Sequence, residues 1–227
     1  MRLPFAASFQ ALARPGMAFA TPPPPLGRAV REMVLVWVPL ALSNTAWILW
    51  RTVQVYDGLR MGTHAPVALN WLGVDPADIQ DLIAKLPAPP AMNQIWPWLL
   101  LAVPLGVLGT WLHHAVWDHL GLWLLGGLKE RRGFRTSLLA EAEALRIAAL
   151  GTLVGFLGYL PGLSLLLALP LLLLDAYLWL FRGFALAARH GCEPWRGVAA
   201  TVLHAVLLGC MALSLFALLL SMVRLMV

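Results

Sequence analysis

The chain has 227 residues, of which 60% are hydrophobic and only 12% charged, with a mean hydropathy of +0.77. A soluble domain carries about a quarter charged residues, so that class is excluded, and the long apolar runs mark an integral membrane protein. The net charge of +5 does not signal nucleic-acid binding, because the basic residues sit beside apolar segments as juxtamembrane anchors do.

Residues 1–27 come first. Ala18-Phe19-Ala20 resembles a cleavage site, but Gln10 and Arg14 interrupt the apolar stretch that a signal peptide needs. Phe5, Phe9 and Leu12 recur at helical spacing with Ser8 and Arg14 turned away, which favours a short amphipathic helix lying in the membrane interface. The run TPPPP ends it. A first span is expected over 32–53, preceded by Arg28 and Arg31, with Pro39 tolerated because neighbouring helices satisfy the freed carbonyl.

Residues 54–94 form a polar external segment. Asp75-Pro76 is a good helix start, and Ile79, Leu82, Ile83 and Leu86 line one face of a short amphipathic helix that PAPP terminates. A second span is expected over 96–126, longer than the roughly 20 residues a bilayer needs, so it is either tilted and kinked near Pro104, Gly106 and Gly109 or ends in the interface. Further spans are expected over 145–160, 163–180 and 198–222, with YLPG turning between the third and fourth.

Arginine supplies nearly all the basic residues, which with the Ala, Leu, Gly and Pro richness suggests a GC-rich bacterial source and hence an inner membrane. The segment before the first span and the 128–136 and 182–196 connections are arginine-rich, whereas 54–94 sets Arg60 and Lys85 against Asp57, Asp75, Asp78 and Asp81. By the positive-inside rule the amino terminus is cytoplasmic, and five spans put the carboxyl terminus outside. The predicted fold is all-α, a single membrane domain built as a helical bundle. Cys192 and Cys210 do not indicate a disulfide framework.

The stretch HHAVWDHLGLWLLGG (113–127) concentrates titratable groups. A helix advances about 100° per residue, so His114 and Asp118 share a face, His119 is displaced from it by about 140°, and His113 turns the other way. No three of them converge as a zinc site requires, and the glutamate base of an HExxH pattern is absent. No metal, cofactor or catalytic site is expected. Glu143 and Arg146 are three residues apart and can pair on one helix.

Arg146, Asp175 and His204 each fall roughly 10–15 Å deep, counted from the helix ends, and Asp118 and His119 reach similar depth if the second span ends at Gly126. Charges at such depth face the bundle interior in pairs. The expectation is an intramembrane polar cluster of Asp118, His119, Arg146, Asp175 and His204, with Arg146–Asp175 as its ion pair. A structural pin is weighed above a transport or ligand role. Gly151, Gly155 and Gly158 follow one face of the third span, and Gly209 stands between Ala205 and Ala212 in the fifth, a spacing that lets membrane helices approach closely.

From Trp111 to Leu208 the chain resembles the YIP family, Ypt/Rab-interacting five-span membrane proteins with bacterial relatives. The resemblance rests on DHLGLWLLGG (118–127), the short basic connection after it, LGYLPG (157–162) and ARHGCEPWRGVAATVLHAVL (188–207), with ALARPGMAF (11–19) similar to a short Pro-containing entry. It implies five spans, a cytoplasmic amino terminus, an external carboxyl terminus and a role in membrane organisation without catalysis. The family's Gly-Gly and His features fall on Gly126, Gly127 and His119. The Asp-Leu-Tyr-Gly-Pro run of eukaryotic members is absent, so Rab-type binding is not implied.

Two functional classes follow. One is a non-enzymatic protein that organises membrane lipid or protein partners, with a protein partner or a second copy of itself in the membrane; the other is a transporter or permease component that uses the polar cluster.

Overall fold

The computed structural model describes residues 11–61, 85, 90–128, 133–160 and 163–226. Apart from residue 85, the expected helix over 75–86 lies outside the described residues, as do residues 1–10 and the rest of 62–89. Five long helices carry the fold: α1 (Leu26–Arg60), α2 (Met92–Leu124), α3 (Phe134–Gly155), α4 (Leu163–His190) and α5 (Pro194–Met226). A 3-10 turn (Phe156–Tyr159) extends α3, and a single helical turn (Pro15–Ala18) precedes α1. No strand occurs among the described residues.

Four segments are long and apolar enough to cross a membrane: Leu26–Gly58, Asn93–Leu124, Leu165–His190 and Pro194–Leu218. The chain is therefore an integral membrane protein. Leu26–Gly58 contains the expected 32–53 span, and the other three overlap the expected 96–126, 163–180 and 198–222 spans with their ends shifted. The expected 145–160 span falls across the end of α3 and its 3-10 turn, and is not among the four. Helix α3 is less apolar because Arg135, Glu141, Glu143 and Arg146 stand along it, and it buries eleven residues, among them Ser137, Glu141 and Glu143.

The chain divides into two compact units. One, Pro39–Leu105, comprises the later part of α1 and the earlier part of α2. Within it Ser43 and Thr52 return their hydroxyls to the carbonyls of Pro39 and Ile48, which satisfies these polar groups without water. Trp47 and Trp50 pack with ring centroids 4.9 Å apart.

The other unit, Met1–Val38 with Gly106–Val227, holds the core and the polar residues. Helix α4 is its centre and packs against α3, α5, the 3-10 turn and the Pro15–Ala18 turn. The core consists of small and large side chains together: Ala140, Ala144, Ala185 and Ala200 beside Phe19, Leu122, Ile147, Phe181 and Leu186. Where α4 crosses α5 the backbones nearly touch. A Cβ on Gly197 would lie 2.0 Å from the Gly183 carbonyl oxygen, and one on Gly183 would lie 2.5 Å from the Val198 Cα.

Of the glycines expected to mediate packing, Gly151 and Gly158 do so against α4: added Cβ atoms would meet Leu178 Cδ1 at 2.2 Å and Leu171 Cδ1 at 2.9 Å. Gly155 and Gly209 face open space. They share the sequence spacing but not the sector of the helix that a neighbour covers.

Two helices end in the same way. Gly126 adopts φ 65° and Gly191 φ 68°, the left-handed conformation that glycine reaches without steric cost. The amides of Gly127 and Cys192 then bond back to the carbonyls of Leu122 and Ala187, at 2.8 and 3.0 Å, closing Schellman caps. Arg196, in the first turn of α5, donates to the Leu125 and Gly126 carbonyls at 2.6 and 2.8 Å. The glycine pair expected to end the second span does end α2.

Phe5 and Phe9 of the expected interfacial helix lie outside the described residues, whereas the segment from Ala11 onward packs on the bundle. Phe19 is buried with its ring centroid 5.5 Å from that of Phe181, Ala11 and Leu12 pack on the core, and the Tyr177 hydroxyl donates to the Leu12 carbonyl.

Candidate functional site

The α4–α5 crossing determines which side chains meet. Gly197, Thr201 and His204 follow one another at helical spacing on α5, so close approach at Gly197 turns Thr201 and His204 toward α4. Trp179, Arg182, Gly183 and Leu186 form the matching stripe on α4. Trp179 anchors the contact by donating its indole N–H to the Thr201 carbonyl at 2.8 Å.

Arg182 lies at the centre of this stripe and is 2% exposed. Its Nη2 donates to Asp118 Oδ2 of α2, and its Nε donates to Glu141 Oε2 of α3 at 2.9 Å. The guanidinium also lies 4.5 Å from the Trp179 ring centroid, a cation–π contact strengthened by desolvation. Asp118 Oδ1 bonds His204 Nδ1 at 2.7 Å, and His204 Nε2 lies 3.2 Å from His113 Nε2. Four helices thus contribute Asp118, Glu141, Arg182 and His204, and all four side chains are essentially inaccessible.

His114 packs edge-on against Trp179 and His204, with centroids 5.4 and 5.5 Å away. Arg182 Nη1, Glu141 Oε1 and His114 Nδ1 are buried without a hydrogen-bond partner among the described residues. Glu141 lies outside the four apolar spans, and burial pushes its carboxyl up to about 8 against the opposing pull of Arg182.

Three smaller polar groups surround this centre. Ser137 Oγ bridges His119 Nδ1 and His190 Nε2, both at 2.8 Å. Arg189 grips Glu143 with two nitrogens, at 2.6 and 2.8 Å, and donates from Nη1 to the Thr21 and Phe19 carbonyls at 2.8 and 3.3 Å. Arg146 donates to Glu32 of α1 at 2.8 Å, and Glu32 also accepts from Arg28. Beside His119 lies an open apolar groove of about 590 Å³, lined also by Val116, Leu120, Trp123 and Phe134.

The five residues expected in one cluster therefore separate. Asp118 and His204 meet, and His119 turns to Ser137 and His190. The expected Arg146–Asp175 ion pair does not form, because Arg146 pairs with Glu32 while Asp175 is exposed on α4. Nor do Glu143 and Arg146 pair on their own helix; Glu143 goes to Arg189.

The physical reason is the length of the helices. Ending the fourth span at 180 and starting the third at 145 puts Arg182, Arg189, Glu141 and Glu143 into connections, whereas α4 runs to His190 and α3 starts at Phe134. One signal was available: Arg182 and Arg189 are seven residues apart within an otherwise apolar stretch, so both lie on one face.

His113, His114 and His204 come close together, yet among the described residues no group of three or more His, Cys, Asp or Glu is arranged to hold a metal ion. Among the described residues neither Cys192 nor Cys210 forms a disulfide. Comparison with family models, with curated proteins and with solved structures finds no match to this chain.

Proposed function

We propose that the protein is a non-enzymatic, multi-span membrane protein of the YIP type that organises lipid or protein partners in a bacterial inner membrane. The observation that carries this reading is how the buried charges are used. Asp118, Glu141, Arg182, Glu143 and Arg189 each bond a partner on another element, while large apolar side chains cover the outside, from Leu165 at 88% exposure to Leu213 at 70%. Such an interior fastens helices together, and such an exterior suits lipid.

In this reading residues 145–160, the later part of α3 with its 3-10 turn, make the fifth crossing, which leaves the amino terminus cytoplasmic and the carboxyl terminus external. Arg28, Arg31 and the basic 128–136 connection support that orientation. A reporter fused after Val227 that is active only outside the cytoplasm tests it; activity on the cytoplasmic side means an even number of crossings.

A transporter role is the second reading, favoured by one observation: two buried carboxylates face a single guanidinium, an imbalance a purely structural pin does not need. The experiment that separates the two is reconstitution of the purified chain into vesicles, alongside cross-linking in native membranes. A stoichiometric partner with no saturable solute flux supports the organising role. Saturable flux abolished by Asp118→Asn overturns it.

A further inference from the structure

Asp118 and Glu141 are both fully buried, and both bond the same arginine. Arg182 supplies one positive charge against two carboxyl groups, and an uncompensated buried charge is very costly. Asp118 and Glu141 face one guanidinium, Asp118 at its Nη2 and Glu141 at its Nε, so the two carboxyl groups are close neighbours. Two ionised carboxylates are acceptors only and cannot bond each other, whereas one proton between them turns repulsion into a hydrogen bond. That proton also accounts for Glu141 Oε1, which has no other partner.

A path leads from this pair to the surface of the bundle. With Asp118 ionised, His204 Nδ1 carries the hydrogen directed at it, so the neutral His204 Nε2 is an acceptor. His113 Nε2, at 3.2 Å, is then the donor. His113 is only partly buried, unlike His204. Every hydrogen in this line is directed inward, from His113 through His204 to Asp118.

We propose that the Asp118–Glu141 pair holds one exchangeable proton, and that His204 and His113 are the path by which it exchanges with the outer face of the bundle. A proton bound at His113 Nδ1 makes an imidazolium, which gives its Nε2 proton to His204 Nε2. His204 gives its Nδ1 proton to Asp118. One proton has then moved inward and the pair momentarily holds two; both histidines are neutral with their tautomers reversed, and the reverse transit, which can carry out either proton, restores them and leaves one on the pair.

Around the pair stand His113 and His114 from α2, Arg182 from α4 and His204 from α5; on α3 itself, Glu143 is turned to Arg189. Burial raises the Glu141 carboxyl toward neutral pH, as a proton resident there requires. The inference holds whether the protein organises partners or transports a solute.

Infrared spectroscopy of the full chain in lipid nanodiscs tests it. At neutral pH a protonated-carboxyl C=O band is expected, absent in Glu141→Gln and shifting on transfer to deuterated water. In His113→Leu the band is expected to persist but to exchange on the order of tenfold more slowly, because exchange then waits on local opening. If Glu141→Gln does not fold, carbon-13 labelling of glutamate in the natural chain reads the same band. No glutamic-acid band at neutral pH overturns the resident proton, and an unchanged exchange rate in His113→Leu overturns the path.

Discussion

The two halves of α4 reverse each other's chemistry. From Leu163 to Leu174 the helix is almost purely aliphatic, and Leu165, Leu166, Leu169, Leu172 and Leu173 are all exposed. From Leu178 to His190 it carries two arginines and a histidine, and Phe181, Arg182, Ala185, Leu186, Arg189 and His190 are all buried. In water the first half would be the core and the second the surface. In a bilayer the hydrophobic effect does not drive helices together, so contact forms where small residues allow close approach and polar groups find partners. Charge, in this protein, marks the inside.

The largest break in that contrast is expected at the crossing. Gly197→Leu places a side chain where even a Cβ lies 2.0 Å from the Gly183 carbonyl oxygen, and the expected outcome is loss of monodisperse protein in detergent size exclusion. Leu169→Ala, in the exposed half, is expected to leave the elution profile unchanged.

Next comes Arg182→Met, which strands Asp118 and Glu141 without their cation. Removing one partner of a buried ion pair costs about 3–5 kcal/mol, measurable as a lowered denaturation midpoint in detergent. Replacing all three charges, as Asp118→Leu, Glu141→Leu and Arg182→Met together, is expected to recover much of that loss, since an apolar isostere of a buried charge cluster is often neutral or stabilising.

A smaller effect follows pH. The Glu141 carboxyl is raised from 4.5 to about 8 on folding, so the folded state binds more protons than the unfolded state between those values. Its contribution to stability is fully present below 4.5 and lost as pH rises through about 8. Thermal unfolding followed from acid to alkaline pH is expected to show this decline, and Glu141→Gln is expected to flatten it. The smallest effect sharpens the contrast within α4. Asp175→Asn, at an exposed position, is expected to change stability by no more than about 0.5 kcal/mol, whereas an interior ion pair there would lose several times that.

Hydropathy made the four long apolar helices readable, because a bilayer demands length and apolarity that few other contexts do. The Gly126–Gly127 stop was readable too, since glycine is the residue that tolerates a left-handed cap. Gly151 and Gly158 carried a true packing signal, but the identical spacing at Gly155 and Gly209 did not, because spacing cannot say which sector a neighbour covers. Asp118 and His204 were found by depth.

Arg182 and Glu141 were missed for a definable reason. A hydropathy reading stops a span at the first arginine, and here that arginine is two turns short of the helix end. Pairings between helices, such as Arg146 with Glu32 rather than Asp175, depend on rotation about each axis, and the linear order of residues does not record it.

Arg189 and Tyr177 hold the amino-terminal segment by its backbone: the carbonyls of Leu12, Phe19 and Thr21 are the groups they bond. A clasp of this kind is blind to side-chain identity. Apart from Phe19, whose ring fills a place beside Phe181, and Ala11, Leu12 and Ala18, which pack on the core, the stretch that crosses α4 is free to drift through mutation while its attachment persists. The lasting record of that attachment is therefore carried on α4, in the receiving residues rather than in the segment received.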